Sequence, residues 1–197
     1  MYNSNMLPNL LTLLRVVAIP IIILFLAFET SFWRVMCCGL FILACVTDYL
    51  DGALARRQKV QSELGRIMDP IADKLLVACL LLVLAGLGHL SDYGTLYAAI
   101  LILFREIMVG GLRDYASAAG SKIPTIRIAK WKTAVQMTGL GFLIVGKSGG
   151  VWLGLPQVPV TLIGAVLLWI SVIPTWISGL IYLRYAVQIF RQEGAKQ

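Results

Sequence analysis

Charged residues are scarce in this chain of 197 residues, of which 14% are Asp, Glu, Lys or Arg and 59% are hydrophobic. A soluble domain carries roughly a quarter charged residues. The apolar residues come in long blocks rather than in the period-two alternation of barrel strands. The composition therefore predicts an all-α integral membrane protein.

Histidine and cysteine are too few and too dispersed for an imidazole or thiolate metal site. The single histidine, His89, falls in the short turn GLGHLSDYG and is predicted to be a loop residue without a catalytic role. The four cysteines lie inside apolar blocks, and adjacent Cys37 and Cys38 lack metal-ligand spacing, so they are predicted to be buried hydrophobes. Repeats and low-complexity stretches are also missing. Short connections such as GHLSDYG leave no room for a separate soluble domain, which predicts one transmembrane domain over residues 1–197.

Six apolar segments are each long enough to span the hydrocarbon core, which takes about 20 helical residues. They lie near residues 7–28, 33–57, 66–88, 94–118, 128–147 and 158–191. The first is predicted to span the membrane rather than to act as a signal peptide, because no A-x-A-like cleavage site ends it. The last is long and contains Pro174, which predicts either a kink or an extension into the cytoplasm.

Lysine and arginine are distributed unevenly between the two ends of these segments, and this bias predicts the orientation. They cluster after segment two, around the junction of segments four and five, and near the C-terminal end, whereas the opposite side offers only Arg34 and Lys147. Six spans with both termini in the cytoplasm satisfy the bias. The net charge of +7 is then mainly a topology signal that also attracts membrane lipids with anionic head groups. Nucleic acid is not a predicted partner, because the basic residues are dispersed and membrane-tethered.

Acidic residues number only ten, yet five of them, four of which are aspartates, lie where segment two ends and segment three begins, in TDYLDGALARRQKVQSELGRIMDPIADK. At ~100° per residue, Asp48 and Asp51 share one face of a helix. Asp69 and Asp73 are spaced i, i+4 and share a face of the next helix. Antiparallel packing of the two segments would bring all four carboxylates together.

Converging carboxylates repel one another unless cations hold them. Oxygen ligands at this density suit Mg²⁺ or Mn²⁺, and two such ions also suit phosphoryl chemistry. Gly52 and Ala55 leave space beside the carboxylates, and Arg56 can bind phosphate oxygens in a fork. Simpler roles exist for single residues, since Asp69 before Pro70 is typical of a helix N-cap. Such roles leave the shared helix faces unexplained.

The spacing D-x2-D-G-x2-A-R-x8-G-x3-D-x3-D resembles the signature of the CDP-alcohol phosphotransferases at every fixed position. Its fixed residues are Asp48, Asp51, Gly52, Ala55, Arg56, Gly65, Asp69 and Asp73. The resemblance extends over the whole chain through PNLLTLLRVVAIP, REIMVGGLRDYASAAG and KWKTAVQ, which look like members that use glycerol 3-phosphate. It implies the six-helix fold of that family, in which homodimers are common.

The resemblance also implies a reaction, in which a phosphatidyl group passes from CDP-diacylglycerol to an alcohol and CMP is released. Asp48, Asp51, Asp69 and Asp73 are expected to hold two divalent cations, Mg²⁺ or Mn²⁺. Asp73 is also expected to be the general base. The expected nucleotide-binding residues are Gly52, Ala55, Arg56 and Gly65, joined by Asn9 and Thr12 on segment one.

Four basic residues are candidates for binding the phosphate of the acceptor, namely Arg105, Arg113, Lys130 and Lys132. Arg105 is the most informative, because an ionisable residue inside an apolar segment indicates function. A structural pair with Glu106 is its alternative. For the other three, the alternative is an ordinary role as positive-inside residues.

Two competing hypotheses are open at this stage. The same chemistry could use another acceptor, such as serine, inositol phosphate or phosphatidylglycerol. A divalent-cation transporter could instead use the aspartates as an ion site, although a transporter would favour acidic residues near the middle of the bilayer. The expected location is the inner membrane of a bacterium, with the active site facing the cytoplasm.

Overall fold

The computed structural model describes the backbone of residues 6–58, 63–118, 120 and 127–194. Side chains are described for residues 16–47, 71–72, 74–117, 120 and 131–191. These parts of the chain form helices and turns and contain no β-strand. The predicted all-α class is confirmed for them.

In the part of the chain that the structure describes, six α-helices follow the six apolar segments closely. They are α1 (Met6–Ala27), α2 (Ser31–Gln58), α3 (Glu63–Gly86), α4 (Thr95–Ala118), α5 (Arg127–Trp152) and α6 (Val160–Gly194). A helix satisfies its main-chain hydrogen bonds within the segment, which is why long apolar blocks adopt it. Helix α6 continues through Pro174 over 35 residues. The predicted kink or cytoplasmic extension of the last segment stays a prediction.

Two stretches of the described chain are long and apolar enough to cross a membrane, Asp92–Ser117 and Val160–Arg191. Three further apolar helical stretches are shorter: Val16–Ala27, Ser31–Thr47 and Lys74–Gly86. The six-span topology and the cytoplasmic termini therefore stay predictions.

Large apolar side chains are exposed on this molecule while several charged ones are buried, which reverses the usual distribution in a soluble protein. Ile107 is 74% exposed and Leu82 is 62% exposed, whereas Arg34 and Arg105 are 4% and 3% exposed. Exposed apolar area on this scale calls for an apolar environment. The described surface accordingly has the character of a membrane protein.

The chain folds into two compact units. The first unit comprises Met1–His89 and Leu140–Gly164, and the second comprises Leu90–Gly139 and Ala165–Gln197. In the first unit, α1 packs against both α2 and α3. Fully buried side chains of the first unit include Ile22, Leu26, Phe41, Leu80 and Leu84, and those of the second include Ala98, Ile102, Leu168 and Ala186.

A buried arginine donates hydrogen bonds to main-chain carbonyl oxygens at a break in α5. At Gly146 the backbone leaves the helical region, with φ 59° and ψ −174°, which frees carbonyl oxygens of the preceding turn. Arg34 Nε donates to the carbonyls of Ile144 at 2.9 Å and Val145 at 3.1 Å. Its Nη2 donates to the carbonyl of Leu143 at 2.9 Å. Arg34, expected only as a flanking charge, thus caps a helix end with its cation.

His89 completes the surroundings of Arg34. Its Nε2 lies 2.6 Å from Arg34 Nη1 and 3.2 Å from Glu29 Oε1. A guanidinium can only donate, so Arg34 Nη1 is the donor in its contact with the imidazole, whereas the Glu29 carboxylate can only accept. Burial and the Arg34 charge lower the pKa of His89 from its ordinary value, while Glu29 acts in the opposite direction. His89 lies in the turn after α3, as predicted, and every nitrogen of Arg34 has a partner.

The cap predicts that Gly146→Ala destabilises the protein. A Cβ at this position would overlap the Arg34 guanidinium, and alanine is strained at φ 59°. We expect a loss of about 1–3 kcal/mol, measured as a lower Tm in detergent. Gly39→Ala is the matched control, because this helical glycine of α2 has open space around it. Equal effects of the two substitutions would contradict the cap.

Candidate functional site

The four aspartates predicted to bind metal lie on two helices of the first unit. Asp48 and Asp51 belong to α2, and Asp69 and Asp73 belong to α3. The backbone is helical through both pairs, so each pair keeps the spacing that shares one helix face. Helices α2 and α3 both pack against α1. Four carboxylates that converged would suit two Mg²⁺ or Mn²⁺ ions, as the sequence predicts.

The side chains of these aspartates lie outside the described residues. Their predicted roles, including that of Asp73 as general base, therefore stay predictions. Among the side chains that are described, no three His, Cys, Asp or Glu residues form a group able to hold a metal ion.

The residues predicted to bind the nucleotide are distributed over three helices that are neighbours in the first unit. Gly52, Ala55 and Arg56 lie on α2, Gly65 on α3, and Asn9 and Thr12 on α1. Their side chains also fall outside the described part of the chain. Packing of α1 against α2 and α3 is the structural feature that supports a shared pocket.

Two of the predicted acceptor-binding residues meet around one carboxylate in the second unit. Arg105 on α4 and Lys132 on α5 are 3% and 6% exposed. Arg105 Nη1 donates to Glu106 Oε1 at 3.1 Å, and Lys132 Nζ donates to the same oxygen. The structural pair considered as the alternative role of Arg105 is therefore present. Glu106 holds two cations side by side that would otherwise repel each other.

Helix α6 fixes the position of Arg105. Ser178 Oγ accepts a hydrogen bond from Arg105 Nη2 at 2.7 Å. Gly179 gives the arginine stem its space, since a Cβ there would lie only 3.1 Å from Arg105 Cγ. The Arg105 guanidinium carbon lies 5.8 Å from the centre of the Tyr182 ring, within cation–π range. Three residues of one helix therefore orient this guanidinium.

Arg113 is also near Tyr182, but it is exposed. Its guanidinium carbon lies 5.9 Å from the ring centre, so the two arginines of α4 share one aromatic ring. The side chain of Lys130, the fourth predicted residue, lies beyond the described side chains. The structure thus links three of the four predicted acceptor residues through Glu106 and Tyr182.

These charges define the cation cluster, by which we mean Arg105, Arg113 and Lys132 together with Glu106. Among the described side chains, this set has three cations and one carboxylate, which is an excess of two positive charges. A phosphate monoester carries close to two negative charges at neutral pH, since its second pKa is about 6. The cluster therefore matches such a phosphate in charge, and its buried arginine offers the fork geometry that phosphate oxygens favour.

The α6 partners of Arg105 were not among the predicted site residues, although the sequence contains a signal for them. Ser171, Thr175, Ser178 and Tyr182 follow one another at intervals of four, three and four residues on an otherwise apolar helix. All four are buried. Hydroxyls at this spacing line one helix face and indicate polar partners on neighbouring helices.

Comparison with known proteins identifies the family. The sequence model of the CDP-alcohol phosphatidyltransferase family matches residues 5–177, and the chain belongs to this family. The matched range contains every aspartate of the signature and all four acceptor candidates. The resemblance inferred from the motif is confirmed.

Named relatives cover nearly the whole chain. The CDP-diacylglycerol–glycerol-3-phosphate 3-phosphatidyltransferase of Rickettsia bellii is 36% identical over 93% of this chain and 97% of its own length. Proteins of the same name from Rickettsia typhi and Cereibacter sphaeroides are 38% and 33% identical. Their matches cover 90% and 94% of this chain, and 95% and 97% of their own lengths.

Proposed function

We propose that this protein transfers the phosphatidyl group of CDP-diacylglycerol to glycerol 3-phosphate, giving phosphatidylglycerol phosphate and CMP. The cation cluster, in which Arg105 and Lys132 are buried, is the observation that supports this acceptor most strongly, because its net charge matches a phosphate dianion. The aspartate signature on α2 and α3 supports the transfer chemistry. The relatives from Rickettsia and Cereibacter are named for this reaction.

Binding of the acceptor begins with its phosphate. Arg105 and Lys132 are buried, and charge pairs are stronger there than in water because the effective dielectric constant is lower. Glu106 keeps these two cations together before the acceptor arrives, and Ser178 and Tyr182 hold the Arg105 guanidinium in place. Arg113, being exposed, can attract the phosphate from solvent.

Transfer then requires one displacement at phosphorus. Asp73 takes the proton of the acceptor hydroxyl, whose oxygen forms a bond to the phosphorus that bears diacylglycerol. The pyrophosphate bond breaks, and CMP leaves with the bonding electron pair. Two divalent cations would neutralise charge on the donor pyrophosphate. The residues that would hold them are Asp48, Asp51, Asp69 and Asp73.

The location of the two substrates follows from their chemistry. The acyl chains of CDP-diacylglycerol stay in the bilayer, while its nucleotide reaches a pocket formed with Gly52, Ala55 and Arg56. Six spans with cytoplasmic termini would place this pocket on the cytoplasmic side of a bacterial inner membrane. A homodimer is the assembly that the family resemblance implies.

Acceptor preference separates this proposal from its main rivals. Protein in vesicles containing CDP-diacylglycerol should incorporate label from glycerol 3-phosphate into lipid, and not from serine or inositol phosphate. A chelator should stop incorporation, and added Mg²⁺ or Mn²⁺ should restore it. Label entering lipid from serine alone would exclude the proposed acceptor. Metal flux across the vesicle without CMP release would indicate a transporter instead.

Asp73→Asn tests the proposed base. Asparagine cannot take up the acceptor proton, so turnover should fall by about 10²–10⁴-fold. The Tm and the KM for CDP-diacylglycerol should change little. Asp92→Asn serves as the control, because Asp92 is an exposed acid in the short turn before α4. Turnover of Asp73→Asn close to that of the control would rule out the base role.

Arg105→Lys tests the phosphate contact while keeping the charge. Lysine loses the fork geometry and the placement by Ser178, so the KM for glycerol 3-phosphate should rise about tenfold or more. The KM for CDP-diacylglycerol should stay within about twofold. Arg184→Gln, which removes an exposed arginine of α6, should leave both values unchanged. Equal increases in both KM values would mean that Arg105 only supports the fold.

A further inference from the structure

Three buried polar atoms lack a hydrogen-bond partner among the described residues, and all three belong to the second unit. They are Arg105 Nε, Gln136 Oε1 and Trp176 Nε1. Buried polar atoms are nearly always paired, and an unpaired one costs about 1–3 kcal/mol. Such atoms therefore mark positions at which a bound ligand can complete the hydrogen bonds.

Gln136 lies next to the cation cluster on α5. Its side chain is 3% exposed, and it follows Lys132 by four residues, which is one helical turn or about 6 Å along the axis. Residues at this spacing share a helix face, and the Cα–Cβ bond of Gln136 tilts toward the N-terminal turn that contains Lys132. Lys132 in turn contacts Glu106. The Gln136 amide thus belongs to the surroundings of the proposed acceptor phosphate.

The unpaired atoms differ in what they require. An amide oxygen such as Gln136 Oε1 only accepts, so its partner must carry a donor such as a hydroxyl. Arg105 Nε only donates, so its partner must carry an acceptor such as a phosphate oxygen. A phosphorylated polyol provides both groups within a few ångströms.

We propose that Gln136 determines acceptor specificity by accepting a hydrogen bond from the hydroxyl of glycerol 3-phosphate that does not react. This inference rests on the proposed function and adds that the hydroxyl at the end of the glycerol is the one that attacks the donor. The hydroxyl on the central carbon is then left as the donor for Gln136 Oε1. An acceptor without that hydroxyl leaves the buried amide oxygen unpaired. Its transition state is then stabilised less, and its kcat/KM is lower.

The test compares two acceptors that differ only in the central hydroxyl, glycerol 3-phosphate and 3-hydroxypropyl phosphate. The wild-type protein should show a kcat/KM about tenfold or more higher for glycerol 3-phosphate. Gln136→Met, which has a similar size and no amide, should reduce this ratio to about one to threefold. The decrease in kcat/KM should be larger for glycerol 3-phosphate than for 3-hydroxypropyl phosphate.

Two further variants separate recognition from folding. Gln136→Glu keeps an accepting oxygen, so it should keep the preference for the acceptor with the central hydroxyl. Its added negative charge should weaken the binding of both phosphorylated acceptors. Thr138→Val is the control on the same helix, because Thr138 is exposed and its hydroxyl donates to the Ala134 carbonyl at 2.8 Å. This control should keep the wild-type ratio.

The outcomes distinguish this inference from the proposed function. Equal kcat/KM values of the wild-type protein for the two acceptors would overturn the role of Gln136, and this measurement needs no variant. An unchanged preference in Gln136→Met would overturn it too, while transfer to glycerol 3-phosphate would still uphold the proposed function. Failure of the wild-type protein to use either acceptor would overturn both.

Discussion

Charged and polar groups placed among apolar helices must find partners, and the rest of this structure depends on that constraint. Arg34 and Arg105 are both almost fully buried. Desolvation of an unpaired guanidinium would cost several kcal/mol. Each arginine therefore determines the local shape of its unit, through a break in α5 in one case and through a close approach of α6 in the other.

The two arginines differ in how completely they are paired. Arg34 contacts carbonyl oxygens through Nε and Nη2, and the imidazole of His89 through Nη1. Each of its three nitrogens therefore has a hydrogen-bond partner within the fold. Arg105 contacts Glu106 and Ser178, but its Nε has no partner among the described residues. A saturated arginine stabilises structure, whereas one with a spare donor beside a second cation is equipped to bind an anion. This contrast supports an acceptor-binding role for Arg105.

Local patterns in the sequence predicted most of the helices and the signature residues. Helix bounds follow from apolar blocks, and the spacing of Asp48 and Asp51 on α2 or of Asp69 and Asp73 on α3 follows from helical periodicity. The break at Gly146 could not be predicted, because it depends on Arg34, more than a hundred residues away. The contact of Arg105 with Ser178 depends likewise on two helices that are distant in sequence. Partners across such distances come from tertiary packing, which one sequence does not reveal.

Recognition of a phosphate by the cation cluster is the central claim, and the need for that phosphate is its most direct test. CMP release from CDP-diacylglycerol would be measured for purified protein in vesicles, with equal concentrations of glycerol 3-phosphate or glycerol as acceptor. Glycerol cannot form the charge-assisted hydrogen bonds that Arg105 and Lys132 would make to a phosphate, so release with glycerol should be slower by about a hundredfold or more. Equal rates with the two acceptors would contradict the claim.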